Sequence, residues 1–274
     1  MIVFLAMGLW ASLLVAGVSG VIGTYAVTKR IVNLCGSISH SVLAGMGSFL
    51  WMQRTWGLTW LEPIYGAFVA AILSAWMIGW IHLRYKERED AVIAAIWSTG
   101  MAIGLIFISI TPGTNVDLLN FLFGNILWIT AGDLWMLAAL NGVVALVVAL
   151  LWRPLLAVAF DPDQARLRGL PVERLYLLLL TLIAVSVVIL SQVIGVLLVM
   201  ALLAVPPTIA GLYTRSLKWM MGGAAVLSGL FCAVGLLASF ALNWPPGATI
   251  ALIGALCYGL SLLVGPLTFR GLIP

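Results

Sequence analysis

The sequence predicts an all-α protein that crosses a membrane eight or nine times, and its composition and apolar runs support that prediction. Of 274 residues, 64% are hydrophobic and only 8% are charged, whereas about a quarter of a soluble domain is charged. Apolar stretches of about 20 residues, the length that spans ~30 Å of hydrocarbon, recur along the chain. The composition also excludes a disordered chain. Despite a pI near 9.2, it argues against a nucleic-acid-binding protein, because the net charge of +4 comes from only 13 basic and 9 acidic residues.

The predicted spans follow one another and are separated by charged or helix-breaking residues. The stretch 175–213 is too long for one perpendicular span, so we expect two spans with the break at Ser191 and Gln192. This gives nine spans, or eight if 175–213 or 34–53 turns back within the membrane. The first stretch is expected to be retained, because no basic residue precedes Lys29 and the run is too long for a signal peptide. The apolar stretches are 2–28, 34–53, 63–83, 91–111, 132–152, 175–213, 219–242 and 247–268.

The positions of lysine and arginine predict how the chain is oriented. If nine spans alternate from an N-terminus outside, only Arg54 lies outside and the other basic residues all lie on the cytoplasmic side. We therefore expect the C-terminus in the cytoplasm and a single transmembrane domain over residues 1–274. The residues on the cytoplasmic side are Lys29, Arg30, Arg84, Lys86, Arg88, Arg153, Arg166, Arg168, Arg174, Arg215, Lys218 and Arg270.

Small residues recur at spacings that let membrane helices approach closely. Gly17, Gly20 and Gly23 lie three apart in the first span, and Gly100 and Gly104 form a GxxxG motif in the fourth. We interpret both sets as packing surfaces.

Two consecutive prolines interrupt the run that follows residue 191. Pro206 and Pro207 remove backbone donors and disfavour helical geometry before them. A broken helix at membrane depth persists only within protein or along a cavity. The pair therefore predicts a kink, and we interpret the kink as a hinge.

His40 is the strongest candidate for chemistry because it is an ionisable residue inside the second predicted span. At helical spacing Ser37, His40 and Gly47 share a small, polar face. Ionisable residues in a span usually face the bundle interior or an aqueous path, and neutral imidazole binds first-row transition metals. The alternative is a structural histidine that donates to a neighbouring helix. One histidine cannot close a site, so we expect the weak, transient binding that a conducting path requires.

The other titratable residues give weaker signals. His82 lies in the last turn of a span and is interpreted as interfacial, whereas Asp117 and Asp133 are interpreted as helix-start residues. The sequence contains no paired catalytic carboxylates, no Ser/His/Asp set and no HExxH motif. It also lacks a GxxxxGK[ST] loop, so we expect neither an enzyme nor ATP binding by this chain itself.

One short polar segment on the predicted cytoplasmic side is expected to form a helix of about seven residues between two spans. Asp161 can cap its start, Pro162 suits the first helical position, and Gly169 followed by Pro171 ends it. Two interpretations stay open: an ordinary capped connector, or a rigid docking element for a cytoplasmic partner.

Taken in order along the chain, five segments resemble the permease subunits of the bacterial ABC importers for zinc, manganese and iron. None is specific alone, but all five occur in the expected order and cover essentially the whole length. The segments are 38–45, 117–124, 161–169, 195–207 and 246–250.

The resemblance implies an inner-membrane permease that pairs with a second copy, as a homodimer or a closely related heterodimer. It further implies ABC ATPase subunits that bind the ATP, and an extracytoplasmic metal-binding protein that delivers a divalent ion. No tightly bound cofactor and no nucleic-acid partner are expected. Segment 161–169 corresponds to the family's coupling helix, which lies in a groove of the ATPase. The residues expected to couple to the ATPase are Asp161, Asp163, Arg166, Arg168 and Gly169.

The family's metal-contacting motif in the second span is Asp-x-x-x-His, and this chain matches only half of it. His40 occupies the histidine position, but Gly36 occupies the aspartate position. The resemblance therefore implies a metal-transit residue at His40. Ser37, Ser39 or the His40 of a second copy remain open as the source of a further ligand.

Three other functions are weighed against metal import. An ABC permease for a metal chelate or a vitamin would need a wide translocation path. A membrane-embedded enzyme would need paired catalytic groups. A stand-alone secondary transporter would need intramembrane acidic residues for ion coupling, and none is obvious in the sequence.

Overall fold

The computed structural model describes residues 2–85, 89–113, 124 and 129–269, and across these residues the chain is helical, with no strand. The prediction of an all-α fold is confirmed. The helices are α1 (Ile2–Thr28), α2 (Val32–Trp56), α3 (Pro63–Tyr85), α4 (Glu89–Ile110), α5 (Ala131–Leu150), α6 (Trp152–Phe160), α7 (Pro162–Leu167), α8 (Val172–Ile194), α9 (Val196–Tyr213), α10 (Leu217–Leu242) and α11 (Pro246–Phe269).

Eight helices of the described part of the chain are long and apolar enough to cross a membrane. They are α1, α3, α4, α5, α8, α9, α10 and α11. Helix α2 has 25 residues and is long enough to span, but its serines, glycines and His40 lower its hydropathy. The predicted count of eight or nine spans is confirmed, and the sides on which the termini lie stay a prediction.

The long apolar stretch 175–213 is divided into two helices, as predicted, but the predicted position of the break is wrong. Ser191 and Gln192 lie within α8, which continues to Ile194. The break occurs at Gly195, whose φ of +81° suits glycine and interrupts the helix. The two polar residues can lie inside the helix, because the backbone hydrogen bonds of a helix form whether its side chains are polar or apolar.

The chain divides into two compact units. The first comprises residues 1–28, 120–145 and 190–274, and the second comprises 29–119 and 146–189. In the first unit, α1 packs closely on α10. The approach is so close that a Cβ added at Gly20 would lie 2.7 Å from the backbone nitrogen of Ala225. At Gly23, an added Cβ would lie 2.6 Å from the carbonyl oxygen of Leu203 in α9. The predicted packing role of these glycines is confirmed.

In the second unit, α2 packs between α3 and α4. The backbones of Gly45 in α2 and Gly66 in α3 are in direct contact. On the other side, a Cβ added at Gly100 of α4 would lie 2.6 Å from the Cα of Ser41, and one at Gly104 would lie 2.7 Å from the carbonyl carbon of Leu43. The GxxxG motif thus packs α4 against α2, and this contact positions the polar face of α2.

Candidate metal-transit site

The serines of α2 satisfy their hydroxyl groups on backbone carbonyls, which lets a polar helix lie in apolar surroundings. Ser39 Oγ donates to the carbonyl of Cys35 at 2.9 Å, and Ser41 Oγ donates to that of Ile38 at 2.9 Å. Such local bonds are how serine is tolerated inside helices. Ser37 differs because its Oγ donates across to the carbonyl of Ile93 in α4, at 3.0 Å. Ser37 therefore helps to fix α2 against α4.

His40 is held by ring stacking rather than by a hydrogen bond at its Nδ1 atom. Its ring centroid lies 4.5 Å from that of Trp97 in α4, with an interplanar angle of 17°. Nδ1 is buried and has no hydrogen-bond partner among the described residues. A buried polar atom left unpaired costs free energy, whereas the lone pair of a neutral imidazole is a metal ligand. The site therefore offers one oriented nitrogen to an incoming ion.

The remaining candidate ligands around His40 are few. Gly36 is buried one helical turn before it and brings no ligand. Ser37 and Ser39 are both buried and donate to carbonyls, so only their oxygen lone pairs remain for a metal. Within the described residues, no group of three or more His, Cys, Asp or Glu side chains could hold a metal ion. A single copy therefore provides one imidazole and weak oxygen donors.

The contact of Trp97 with His40 is the feature of the candidate site that the sequence does not predict. Trp97 lies three residues before Gly100 in α4, so it shares a helix face with the glycine that contacts Ser41. Pairing the small face of α2 with the GxxxG face of α4 would have placed an aromatic ring opposite His40.

The predicted short helix is present as α7, Pro162–Leu167, and its capping is as the sequence predicts. The Asp161 carboxylate accepts a hydrogen bond from the backbone N–H of Gln164 at 2.8 Å. At the other end Gly169 has a φ of +77°, and the N–H of Leu170 donates to the carbonyl of Ala165 at 3.1 Å. Asp161 and Gly169 thus set the shape of this helix.

Most of the surface of α7 is exposed, and one buried residue packs the helix against its neighbours. Ala165 is buried in a small cluster with Val158, Val172 and Leu175. Arg166 and Asp163 form an open ion pair at 3.7 Å, and Arg168 lies at the helix C-terminus. The exposed charges are thus carried on a short helix whose position is fixed.

The remaining predicted residues lie apart from any cluster of ligands. His82 packs against Tyr176 of α8, with ring centroids 4.9 Å apart. Asp133 accepts from the backbone N–H of Thr130 at 2.9 Å and so lies at the start of α5, which confirms its helix-start role. Asp117 lies outside the described residues.

Pro206 and Pro207 are buried inside α9, which is continuous from Val196 to Tyr213. Proline cannot donate to the carbonyl four residues earlier, so these two residues leave the carbonyls of Leu202 and Leu203 without that bond. The side chain of Pro207 and the carbonyl of Leu203 both lie against Gly23 of α1. The hinge role of the two prolines stays a prediction.

Eight helices that are long and apolar enough to cross a membrane, counted over the part of the chain that the structure describes, define a multi-pass membrane protein. The family model described as "ABC 3 transport family" matches residues 1–265. The chain belongs to that family. The predicted resemblance is confirmed, as is the location in the inner membrane, and the family's role is transport.

Two named relatives and one solved structure are similar over nearly the whole chain. A "Probable metal transport system membrane protein" of Chlamydia pneumoniae is 44% identical over 89% of this chain and 83% of its own. The "Manganese transport system membrane protein MntC" of Halalkalibacterium halodurans is 30% identical over 96% and 88%. The PsaBC complex of Streptococcus pneumoniae, solved with a Fab, matches with a TM-score of 0.82 and 28% identity, over 94% and 90%.

Proposed function

We propose that the chain is the transmembrane subunit of an ABC importer that moves a divalent transition-metal ion into the cytoplasm. The observation that carries this proposal is His40, whose buried Nδ1 has no partner in the described part of the chain and whose ring is stacked on Trp97. Imidazole nitrogen suits zinc and iron, whereas manganese prefers oxygen ligands such as carboxylate. Manganese is the first metal to test, because that is the metal in the name of the similar MntC protein.

One copy of the chain provides only part of the ligand set of the proposed metal site. His40 provides one nitrogen, Gly36 provides nothing, and Ser37 and Ser39 keep only oxygen lone pairs. A second copy of the permease would bring a second His40. A site of two nitrogens and weak oxygens would bind an ion long enough to pass it on without trapping it.

Energy for this transport is proposed to come from a separate ABC ATPase, with an extracytoplasmic metal-binding protein delivering the ion. The short helix α7 suits contact with the ATPase, because both its ends are capped and its charged face is exposed. We assign the coupling role to Asp161, Asp163, Arg166, Arg168 and Gly169. Movement of the spans would then be taken up at Pro206 and Pro207.

The test of this function is uptake of radioactive manganese by cells that carry the chain with its ATPase and binding protein. We expect His40→Ala to lower uptake by at least about ten-fold, because the only imidazole nitrogen at the site is lost. Ser48→Ala is the matched control, since among the described residues its hydroxyl donates to the Gly45 carbonyl on the same helix and to no other helix. Co-purification with the ATPase should be unchanged in both variants.

Two outcomes would contradict the proposal. Normal manganese, zinc and iron uptake in His40→Ala would remove the transit role of His40. Uptake that occurs only when the metal is supplied as a chelate would instead indicate a chelate permease.

A further inference from the structure

The second unit contains a polar cavity at the base of α7, and His40 does not line it. Its volume is about 270 Å³. Its polar lining residues are Lys29, which follows α1, and residues of α3, α7 and α8, and aliphatic side chains from α3, α6 and α8 complete its wall. These polar residues are Lys29, His82, Asp163, Arg166 and Tyr176.

Lys29 is a partly buried cation, and within the described part of the chain no carboxylate lies in an ion pair with it. Its Nζ donates to the carbonyl of Val158 at 2.9 Å and lies 6.0 Å from the centre of the Tyr176 ring. An ammonium has three donors, and no carboxylate of the described residues forms an ion pair with it. Burial lowers the pKa of Lys29, which is the direction that an unpaired buried cation takes. An anion in the cavity would offset that cost.

Arg166 adds a second cation at the rim of the cavity. Its guanidinium lies 3.7 Å from the carboxylate of Asp163, and the two side chains are 46% and 85% exposed. An ion pair this open contributes little, and a guanidinium has five donors. Arg166 therefore keeps donors for another anion, and the cavity has two cations against one exposed carboxylate.

The position of the cavity along the chain points to the headgroup level of the membrane. Lys29 directly follows the span that ends at Thr28, His82 lies two residues before the end of the span Pro63–Arg84, and Tyr176 lies in the first turns of the span that begins at Val172. Basic pockets between membrane helices at this level bind anionic lipid headgroups.

We propose that this cavity binds the phosphate group of an anionic phospholipid, with the Lys29 ammonium and the Arg166 guanidinium as its two cationic contacts. A lipid fits better than an acidic side chain of a partner protein, because the deeper cation, Lys29, lies at a span end against α6 and α8, whereas the exposed α7 forms only the rim. The aliphatic wall suits the glycerol end of the lipid. This proposal requires the membrane location alone and no particular transported metal.

The test is lipid retention by the full-length chain, purified from membranes in a mild detergent and titrated with phosphatidylglycerol or phosphatidylcholine before native mass spectrometry. We expect wild-type protein to retain phosphatidylglycerol in preference to phosphatidylcholine. Lys29→Gln should lower that preference about five-fold, because each basic residue near the headgroups contributes on the order of this factor. Lys29→Arg should keep it. Lys218→Gln is the matched control, since Lys218 is an exposed cation in α10 and does not line the cavity.

Three results would overturn the proposal. Equal loss in Lys29→Gln and Lys218→Gln would mean that the lipid binds only through general surface charge. Displacement of the lipid by soluble glycerol 3-phosphate at equal concentration would assign the cavity to a soluble phosphate compound. Unchanged lipid retention in Lys29→Gln, together with weaker co-purification of the ATPase, would assign the cavity to a partner carboxylate.

Folding is checked by gel filtration of each variant. If Lys29→Gln aggregates, Arg166→Gln replaces it, because Arg166 is exposed at the rim and the same loss of phosphatidylglycerol preference is expected. Metal uptake is not measured, so failure of the transport proposal and failure of the lipid proposal are distinguishable.

Discussion

His40 gives the polar face of α2 an imidazole nitrogen, while Gly36, one turn earlier, has no side chain that could bind a metal. The two positions lie on the same helix face, since residues four apart are neighbours on a helix. The resemblance to metal importers implies an aspartate at the earlier position. Replacing that aspartate with glycine removes a hard, anionic oxygen ligand of the kind that manganese prefers. The single-residue difference therefore predicts weaker binding than a site with both ligands would have.

Gly36→Asp tests this relation directly. We expect the Kd of the purified chain for Mn²⁺ to fall by at least about ten-fold, because a carboxylate would join the His40 nitrogen on one face. Isothermal titration calorimetry measures the change. Gly36→Asn is the control, since it has the same shape without the charge. Equal Kd values for the Asp and Asn variants would show that position 36 does not face the metal.

The sequence was sufficient to find His40 but not to find its contact with Trp97. An ionisable residue inside an apolar run is visible in the sequence itself, because its cost in a membrane marks it out. Trp97 is one of 12 tryptophans, and nothing local distinguishes it. Its role depends on the register of α4 against α2, which is a tertiary property set by the Gly100 and Gly104 contacts.

At the scale of helices, the sequence predicts a helix end best where residues close to that end determine it. The start of α7 at Pro162 and its end near Gly169 follow from capping chemistry within a few residues. The predicted break at Ser191 and Gln192 is wrong, because polar side chains do not by themselves end a helix. Backbone freedom at Gly195 determines the break instead.

The contact of α1 with α9 gives a prediction for stability. Gly23→Ala should destabilise the protein by about 1–3 kcal/mol, because the new Cβ would lie 2.6 Å from the carbonyl oxygen of Leu203 and 2.8 Å from Cγ of Pro207. The measurement is thermal unfolding in detergent, where a lower Tm is expected. Gly222→Ala in α10 is the control, since an added Cβ there has nothing within 4 Å. A Tm equal to that of the control would mean that α1 shifts away at no cost.

At the scale of the whole molecule, the few charges were the most informative feature of the sequence. Scarcity of charge predicted the membrane location, and the clustering of basic residues divided the chain into spans. The cavity beside Lys29 could not be predicted in this way, because its polar residues are spread along the chain from Lys29 to Tyr176 and meet only when α3, α7 and α8 pack. Composition thus determined the class of protein, and packing determined its sites.

The incomplete ligand set predicts that the transport site belongs to a pair of chains. If two copies each supply one His40, then a pair containing one His40→Ala copy should transport as poorly as a pair containing two. Independent sites would instead leave about half of the wild-type rate. The measurement uses co-expressed wild-type and His40→Ala copies with different affinity tags, purification of doubly tagged pairs with the ATPase, and manganese uptake into vesicles.

Mixed pairs of wild-type and Ser48→Ala copies are the control, and these should retain the wild-type rate. A half-maximal rate in the His40→Ala mixed pairs would contradict a shared site and place a complete path within each copy, with Ser37 and Ser39 as the remaining oxygen donors. Failure to recover any doubly tagged pairs would contradict a homodimer, and a related second chain would then have to provide the other ligand.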